Sequence, residues 1–135
     1  MEPSRIREFA ARYAAAWSSR DPARVAAFFS PQGSLRVNSA APAVGTDAIR
    51  AVALGFMTAF PDMQVLMDDL VVGDKGAEFH WTLIGTNTGP GGTGQRVRIS
   101  GYEEWEFGAD GLVARSLGHF DEAEYQRQLQ FGYGE

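Results

Sequence analysis

The sequence predicts a single α+β domain in which helices cover one face of a curled antiparallel sheet. Apolar residues recur at helical spacing in the first half of the chain. After Asp62 the pattern changes to long strands joined by short, glycine-containing turns, and strands joined in this way are antiparallel. The length of 135 residues fits one domain spanning the whole chain, since two domains of ordinary size need roughly 200 residues or more.

Three helices are predicted before the sheet. Residues 4–19 carry aromatic side chains at three- and four-residue spacing, with Ser4 as the expected N-cap. Asp21 can accept from first-turn amides and Pro22 tolerates the first helical position, so a second helix begins there and ends at residues 30–31. A third helix opens at Thr46 and ends before Pro61.

The strands are predicted from alternating apolar and polar residues. They span residues 35–39, 63–72, 77–88, 95–107 and 112–120, and a last amphipathic helix follows over residues 121–130. The glycine-rich segment 85–94 lies between two strands, so we interpret it as a mobile hairpin at a pocket entrance and not as a phosphate-binding loop.

Composition excludes several classes of function. The net charge of -5 argues against partners that reward a basic face, namely nucleic acid and anionic membranes. The chain has no cysteine, which removes disulfides and thiolate metal sites, and its two histidines lack metal-ligand spacing. No apolar run approaches a membrane span. We therefore expect a cytoplasmic domain without cofactor or metal.

Strand parity places ionisable residues together. If Gly111 sits in the left-handed position of a three-residue turn, Gly108 pairs with Leu112. Continued without interruption, that register puts Glu103, His119 and Asp121 on the face that turns toward the helices. A carboxyl group in an apolar pocket has a raised pKa and can exchange protons near neutral pH. These three residues are the candidate catalytic group.

Each candidate also has a structural interpretation. Asp121 could cap the last helix, because Glu124 follows three residues later as in a capping box. Glu103 lies in solvent if the register slips by one residue, and His119 could be a structural histidine. Strand parity sends one of Asp68 and Asp69 inward, without deciding which.

Aromatic residues supply most of the predicted core. A subset of them could line a pocket for a small apolar organic ligand, since such sites are chiefly apolar. The candidates are Tyr13, Trp17, Phe28, Phe56, Phe60, Trp81 and Trp105.

In several segments the chain resembles the SnoaL-like polyketide cyclase and ester cyclase group of the nuclear-transport-factor-2-like superfamily. The segments are residues 17–29, 45–49, 60–62, 81–89, 110–112, 120–121 and 128–132. The resemblance implies a cone-shaped barrel, a curved antiparallel sheet wrapped around the N-terminal helices, often dimerised through the outer sheet face. It also implies that Asp121 acts as acid/base in cofactor-free aldol ring closure. The histidine that such cyclases use on the preceding strand has no counterpart in residues 101–107.

The leading hypothesis is therefore a cofactor-independent enzyme in which Asp121, assisted by His119, moves a proton on an apolar, carbonyl-bearing substrate. The resemblance to cyclases and isomerases makes a lyase or isomerase the expected enzyme class. One alternative is a noncatalytic domain that binds a small apolar ligand, with Asp121 only capping a helix. Another is a hydratase or hydrolase on the same fold. In each case we expect a homodimer through the outer sheet face.

Overall fold

The structure is a computed structural model that describes residues 2–134. Four helices and six strands follow one another along these residues. They are α1 (Pro3–Trp17), α2 (Pro22–Ala26), β1 (Phe29–Val37), β2 (Ala43–Val44), α3 (Thr46–Ala59), β3 (Gln64–Val72), β4 (Gly76–Thr86), β5 (Arg96–Phe107), β6 (Val113–Phe120) and α4 (Glu122–Phe131). The predicted α+β class is confirmed, and helices α1 and α3 pack against the sheet.

The six strands form one curved, cone-like sheet in the order β2-β1-β6-β5-β4-β3. The sheet is open, because β2 and β3 are edge strands and do not pair with each other. All neighbours are antiparallel except β1 and β6, which run parallel. The prediction of a wholly antiparallel sheet is therefore wrong for this pair. Its register is irregular between Phe29 and Ser34, and Pro31 lies in that unpaired stretch, where its missing N–H costs no ladder hydrogen bond.

The helix starts follow different local rules. The Asp21 side chain accepts from the Ala23 amide at 3.1 Å, as predicted. Ser4 is not an N-cap, because α1 begins one residue earlier at Pro3 and its flanking residue Glu2 makes no side-chain cap. Proline at the first helical position lacks the N–H that would need such a partner.

An aromatic cluster connects α1 to the sheet. Tyr13 is completely buried, and its ring makes edge contacts with Phe28, Phe79 and Trp105 at centroid distances of 5.1 to 5.5 Å. The Phe79 and Trp105 rings stack at 5.0 Å on neighbouring strands. Aromatic pairs in such geometries contribute about 0.5–1.5 kcal/mol beyond their buried area. The cluster fixes α1 over β4 and β5.

The pairing of β5 with β6 begins as predicted and then shifts. Gly111 has a φ of 77°, and the Gly108 amide donates to the Leu112 carbonyl at 2.8 Å. Phe107 pairs with Val113, but Glu106 pairs with Arg115, so Ala114 is an extra residue in β6. A bulge of this kind reverses the face of every later side chain in the strand.

Two smaller expectations also change. A third irregularity, between Met67 and Asp69, leaves both Asp68 and Asp69 exposed, so neither turns inward. The glycine-rich segment is held by Asn87, a buried side chain that donates to the Ala59 carbonyl and accepts from the Thr93 amide.

In residues 2–134, no helix has both the length and the apolar character to cross a membrane.

Candidate functional site

An apolar cavity lies between the sheet and the helices. It is lined by Trp17, Leu35, Val37, Phe56, Val65, Phe79, Trp81, Leu83, Ile99, Glu103, Gly118, Phe120 and Tyr125. Its volume is about 60 Å³, enough for a few water molecules or a small organic group, since one water needs roughly 10–15 Å³ by the same measure. Larger ligands would require the lining side chains to move.

Glu103 is the one carboxyl group that lines the cavity within residues 2–134. It lies on β5 with an exposed fraction of 7%, in the row of inward-facing residues that strand parity predicted. Gly118 is its direct partner on β6, and the absence of a side chain there leaves space beside the Glu103 stem. The predicted orientation of Glu103 is confirmed.

Three donors hold the Glu103 carboxylate. Its Oε1 atom accepts from the Ser116 hydroxyl at 2.7 Å, the Tyr13 hydroxyl at 2.9 Å and the Trp105 indole N–H at 3.0 Å. The Oε2 atom has a single, longer contact of 3.2 Å with the same Tyr13 hydroxyl. The protein therefore saturates one carboxylate oxygen and leaves the other with most of its hydrogen-bonding capacity unused.

Burial and hydrogen bonding act in opposite directions on this group. Desolvation raises the pKa of Glu103 above its ordinary value of 4.5, although the bonds from Trp105, Ser116 and Tyr13 each lower it. The pKa of Tyr13 is raised well above 10.0, first by burial and then by the charge of Glu103. The nearby Trp17 indole acts in the opposite direction and lowers the pKa of Tyr13, with a smaller effect than either of these causes. Tyr13 therefore stays protonated and remains a donor to Glu103.

Two further polar groups of the cavity lining lack a partner. The indole N–H groups of Trp17 and Trp81 are buried and make no hydrogen bond to any described residue. Leaving a buried donor unpaired costs about 1–3 kcal/mol. The Trp17 indole influences the pKa of Tyr13, so these two side chains are close to each other. The positions of the indole N–H and the Tyr13 hydroxyl nevertheless do not meet hydrogen-bond geometry.

Asp121 does not face the cavity. It is exposed and is the N-cap of α4, where its Oδ1 atom accepts from the Glu124 amide at 3.0 Å. The Glu124 carboxylate does not complete a capping box but accepts from Arg127 and Gln128, and these contacts lower its pKa to about 2. The inward orientation predicted for Asp121 is wrong, because the bulge at Ala114 shifts the end of β6.

His119 is turned outward by the same bulge. Its Nε2 atom lies 2.6 Å from Glu104 Oε2 on the outer sheet face, and its side chain is 42% exposed. The ring lies 4.7 Å from that of Tyr102, which stacks on His80 at 5.3 Å on its other side. His80 also lies on the outer face, and the cavity position expected for His119 is wrong.

Of the aromatic candidates, three line the cavity: Trp17, Phe56 and Trp81. The Trp17 and Phe56 rings meet edge to face at 6.0 Å, and this contact joins α1 to α3 at the cavity wall. Phe120 and Tyr125 also line the cavity, with ring centroids 5.5 Å apart. These two were not predicted as lining residues, since Phe120 turns inward only because of the bulge.

The remaining aromatic candidates lie behind the cavity wall. Tyr13 and Trp105 are buried and contact Glu103 through their polar atoms. Phe28 contacts Tyr13 within the core, and Phe60 is completely buried below α3. None of these four side chains is part of the cavity lining.

Ser116 is the residue that sequence reasoning missed. Continued without interruption, the predicted register also turns Arg115 inward opposite Trp105, where burial of its guanidinium is costly. That cost argues against the uninterrupted register but does not locate the bulge. With the shift, Arg115 lies on the outer face near Glu106 and Ser116 becomes fully buried against Glu103.

Metal ligation has no support in the described part of the chain. Residues 2–134 contain no cluster of three or more histidine or acidic side chains that could hold a metal ion. The polar side-chain groups at the cavity are one carboxylate with its donors, two indole N–H groups and the Tyr125 hydroxyl. This set suits proton exchange with an organic molecule.

The sequence matches the profile of the SnoaL-like domain family over residues 10–116. No curated protein matches it significantly.

Solved structures share the whole fold. TsrD from Streptomyces laurentii is 21% identical with a TM-score of 0.82, and 96% of this chain and 97% of TsrD are covered. A protein described as a SnoaL-like polyketide cyclase from Jannaschia sp. CCS1 is 17% identical with a TM-score of 0.82, covering 96% and 95%. The epoxide hydrolase/cyclase-like enzyme SalBIII, which has a role in pyran ring formation in the polyether salinomycin, is 15% identical with a TM-score of 0.78, covering 90% and 95%. At these identities the similarity establishes the fold alone.

Proposed function

This chain belongs to the SnoaL-like domain family, and we propose that it is a cofactor-independent enzyme of the cyclase or isomerase type in which Glu103 exchanges a proton with a largely apolar, carbonyl-bearing substrate. The observation that carries the proposal is the position of Glu103, a buried carboxyl group with a raised pKa in an otherwise apolar cavity. Perturbed ionisable groups in a cavity are candidate acid/base groups.

The proposed step uses the less occupied oxygen. Ionised Glu103 takes a proton from the substrate carbon next to the carbonyl onto Oε2, and the electron pair of the broken C–H bond moves to the carbonyl oxygen to form an enolate. In a cyclase the enolate carbon attacks a second carbonyl of the same molecule, and the alkoxide formed receives the proton. In an isomerase the proton returns to a different carbon. Either way Glu103 ends the cycle ionised.

The donors to Oε1 prepare the carboxylate for this step. Ser116, Tyr13 and Trp105 fix its position from three directions, so that Oε2 is held in place before the substrate binds. Such preorganisation avoids reorientation at the moment of reaction. Because burial raises the pKa of Glu103, the carboxylate is also a stronger base than a solvent-exposed one.

The structural neighbours agree with this class of reaction. One is described as a SnoaL-like polyketide cyclase and another is epoxide hydrolase/cyclase-like. Both descriptions concern organic substrates that undergo ring formation, which needs proton transfer at defined atoms. The neighbours support the reaction class, while the residue assignment rests on the cavity of this chain.

Exchange of carbon-bound hydrogen tests the proposal without knowledge of the natural product. Small cyclic ketones and β-diketones are incubated with the protein in heavy water, and loss of the proton next to the carbonyl is followed by NMR. We expect faster exchange with the wild type and a loss of about 100-fold or more in Glu103→Gln. Asp121→Asn is the matched control, because that residue is exposed at a helix terminus.

Two outcomes contradict the proposal. One is exchange that Glu103→Gln retains with its fold intact, and the other is exchange that Asp121→Asn abolishes with its fold intact. Circular dichroism of both variants establishes that the fold is intact.

A noncatalytic binding domain is the second candidate function. It is favoured by the small cavity and by the structural contribution of Glu103, whose bonds connect α1, β5 and β6. In that case no compound of the panel exchanges faster with the wild type than without protein, although ligands still bind in the cavity.

A further inference from the structure

The three tryptophans of the chain differ in how their indole N–H groups are satisfied. Trp105, which lies behind the cavity wall, donates to Glu103 at 3.0 Å. Trp17 and Trp81, which line the cavity, have buried N–H groups that make no hydrogen bond within residues 2–134, although the Tyr13 hydroxyl is close to that of Trp17. Both unpaired donors thus belong to side chains that line the cavity.

No side chain of the cavity lining accepts a hydrogen bond from these groups, and Oε2 of Glu103, which has capacity left, is bonded only to Tyr13. The Oε1 atom of Glu103 already receives three hydrogen bonds, and the other lining side chains are hydrocarbon apart from the Tyr125 hydroxyl, on α4. Buried polar groups in native proteins nearly always have a partner, and exceptions occur where a ligand supplies one. A ligand oxygen in the cavity would supply the acceptor that the described residues do not.

We propose that the indole N–H groups of Trp17 and Trp81 donate hydrogen bonds to oxygen atoms of the ligand, so that the cavity selects neutral molecules with a carbonyl or ether oxygen over hydrocarbons of the same shape. This inference rests on the proposed function for the location of the site and extends it to the ligand class. An ammonium ion does not meet the requirement, because it could lie against the aromatic faces near Glu103 but has no lone pair for the indole hydrogens.

The same donors would stabilise the negative charge that develops on the substrate oxygen during the proposed reaction. Removal of a proton next to a carbonyl moves negative charge onto the oxygen, and that charge needs donors in a site without bulk water. An indole N–H that is unpaired in the free protein strengthens its interaction as the charge develops. Trp17 and Trp81 therefore act on the substrate oxygen, while Glu103 acts on the carbon-bound proton.

A pair of matched probes tests the inference on the wild type. Cyclopentanone carries an acceptor oxygen, whereas methylenecyclopentane has nearly the same shape without one. Both are titrated while nitrogen–proton NMR follows the three indole signals, which are assigned with Trp→Phe variants. We expect cyclopentanone to move the Trp17 and Trp81 signals downfield, to leave the Trp105 signal nearly unchanged and to bind roughly fivefold or more tightly than the hydrocarbon.

Single substitutions that keep an aromatic ring separate the hydrogen bond from packing. Trp17→Phe and Trp81→Phe should each weaken cyclopentanone binding roughly fivefold and change hydrocarbon binding by less than about twofold. The wild-type titration stands by itself if either variant fails to fold. Equal affinity for the two probes, equal movement of the indole signals by both, or no binding of either would overturn the inference.

Failure of this inference is distinguishable from failure of the proposed function. If Glu103→Gln abolishes hydrogen exchange but the ketone has no advantage over the hydrocarbon, only the role of the indoles is wrong. If the ketone is preferred and the indole signals move but Glu103→Gln exchanges normally, only the proton-transfer role is wrong.

Discussion

The pKa of Glu103 reflects the balance between burial and hydrogen bonding. Three donors stabilise its charged form, yet the apolar surroundings outweigh them and its pKa rises. The residue was recognisable in the sequence, because it is the carboxylate in the inward row of β5. The identity of its donors was not, since Tyr13 and Ser116 are distant in sequence and meet it only through tertiary packing.

The raised pKa of Glu103 predicts how stability depends on pH. The unfolded chain releases this proton near pH 4.5, while the folded protein keeps it to higher pH. Stability is therefore complete below the unfolded pKa and falls as pH rises through the folded pKa, by at most about 1.4 kcal/mol per pH unit. Urea unfolding of the wild type should show this loss relative to Glu103→Gln, which cannot ionise. A difference between the two proteins that is independent of pH would contradict the raised pKa.

Ser116→Ala tests the donor to Oε1. Its hydroxyl makes the shortest bond to the carboxylate, at 2.7 Å, and lowers the pKa of Glu103. Its loss should cost about 1.5–3 kcal/mol when Glu103 is charged and less when it is neutral. Urea unfolding should therefore show a larger cost at high pH than at low pH. Ser18→Ala, whose hydroxyl donates to the Ala14 carbonyl and accepts from the Val65 amide, is the matched control and should show no such dependence. An equal cost at both pH values would rule out the charge-assisted bond.

At the level of elements, the sequence predicted the turn that precedes strand β6 but not the bulge within it. The turn before it follows from Gly111, which adopts a positive φ that favours glycine. The bulge at Ala114 has no comparable local signal, because it satisfies long-range demands: burial of Ser116, exposure of Arg115 and the irregular parallel pairing with β1. One residue of shift was enough to move His119 and Asp121 away from the cavity.

The cap of α4 gives a test at this scale. Asp121→Ala removes the acceptor for the Glu124 amide and should lower stability by about 1 kcal/mol. Asp121→Asn keeps an oxygen acceptor and should lose only a small part of that stability. Ligand binding in the cavity should persist in both variants, as measured by tryptophan fluorescence. Loss of ligand binding in a folded Asp121→Asn protein would restore a role for this residue at the cavity.

At the level of the whole molecule, the architecture followed from patterns that are local and strong. Helical spacing, Asp21 with Pro22, and the alternation along β4 and β5 placed most elements close to their observed bounds. The two-residue strand β2 and the parallel pair of β1 and β6 escaped prediction because they depend on contacts between distant segments. Strand β2 also has too few residues for an alternation of apolar and polar side chains to be recognised in the sequence.

We predict that the protein forms a homodimer through the outer sheet face. Leu66 and Val71 are 42% and 49% exposed there, near the stacked rings of His80, Tyr102 and His119. We expect a dimer in sedimentation analysis, weakened by Leu66→Lys. Leu54→Lys is the matched control, because Leu54 is equally exposed on α3 and away from the sheet face. A monomer at all concentrations would contradict the expectation.

The most direct test is an NMR titration of the Glu103 carboxyl carbon, assigned by its loss in Glu103→Gln, with and without cyclopentanone. If this carboxyl group faces a cavity that binds organic molecules, its titration midpoint lies above 4.5 in the free protein and moves when the ketone binds. A midpoint at or below that value, unchanged by the ketone, would contradict a buried proton-exchanging site.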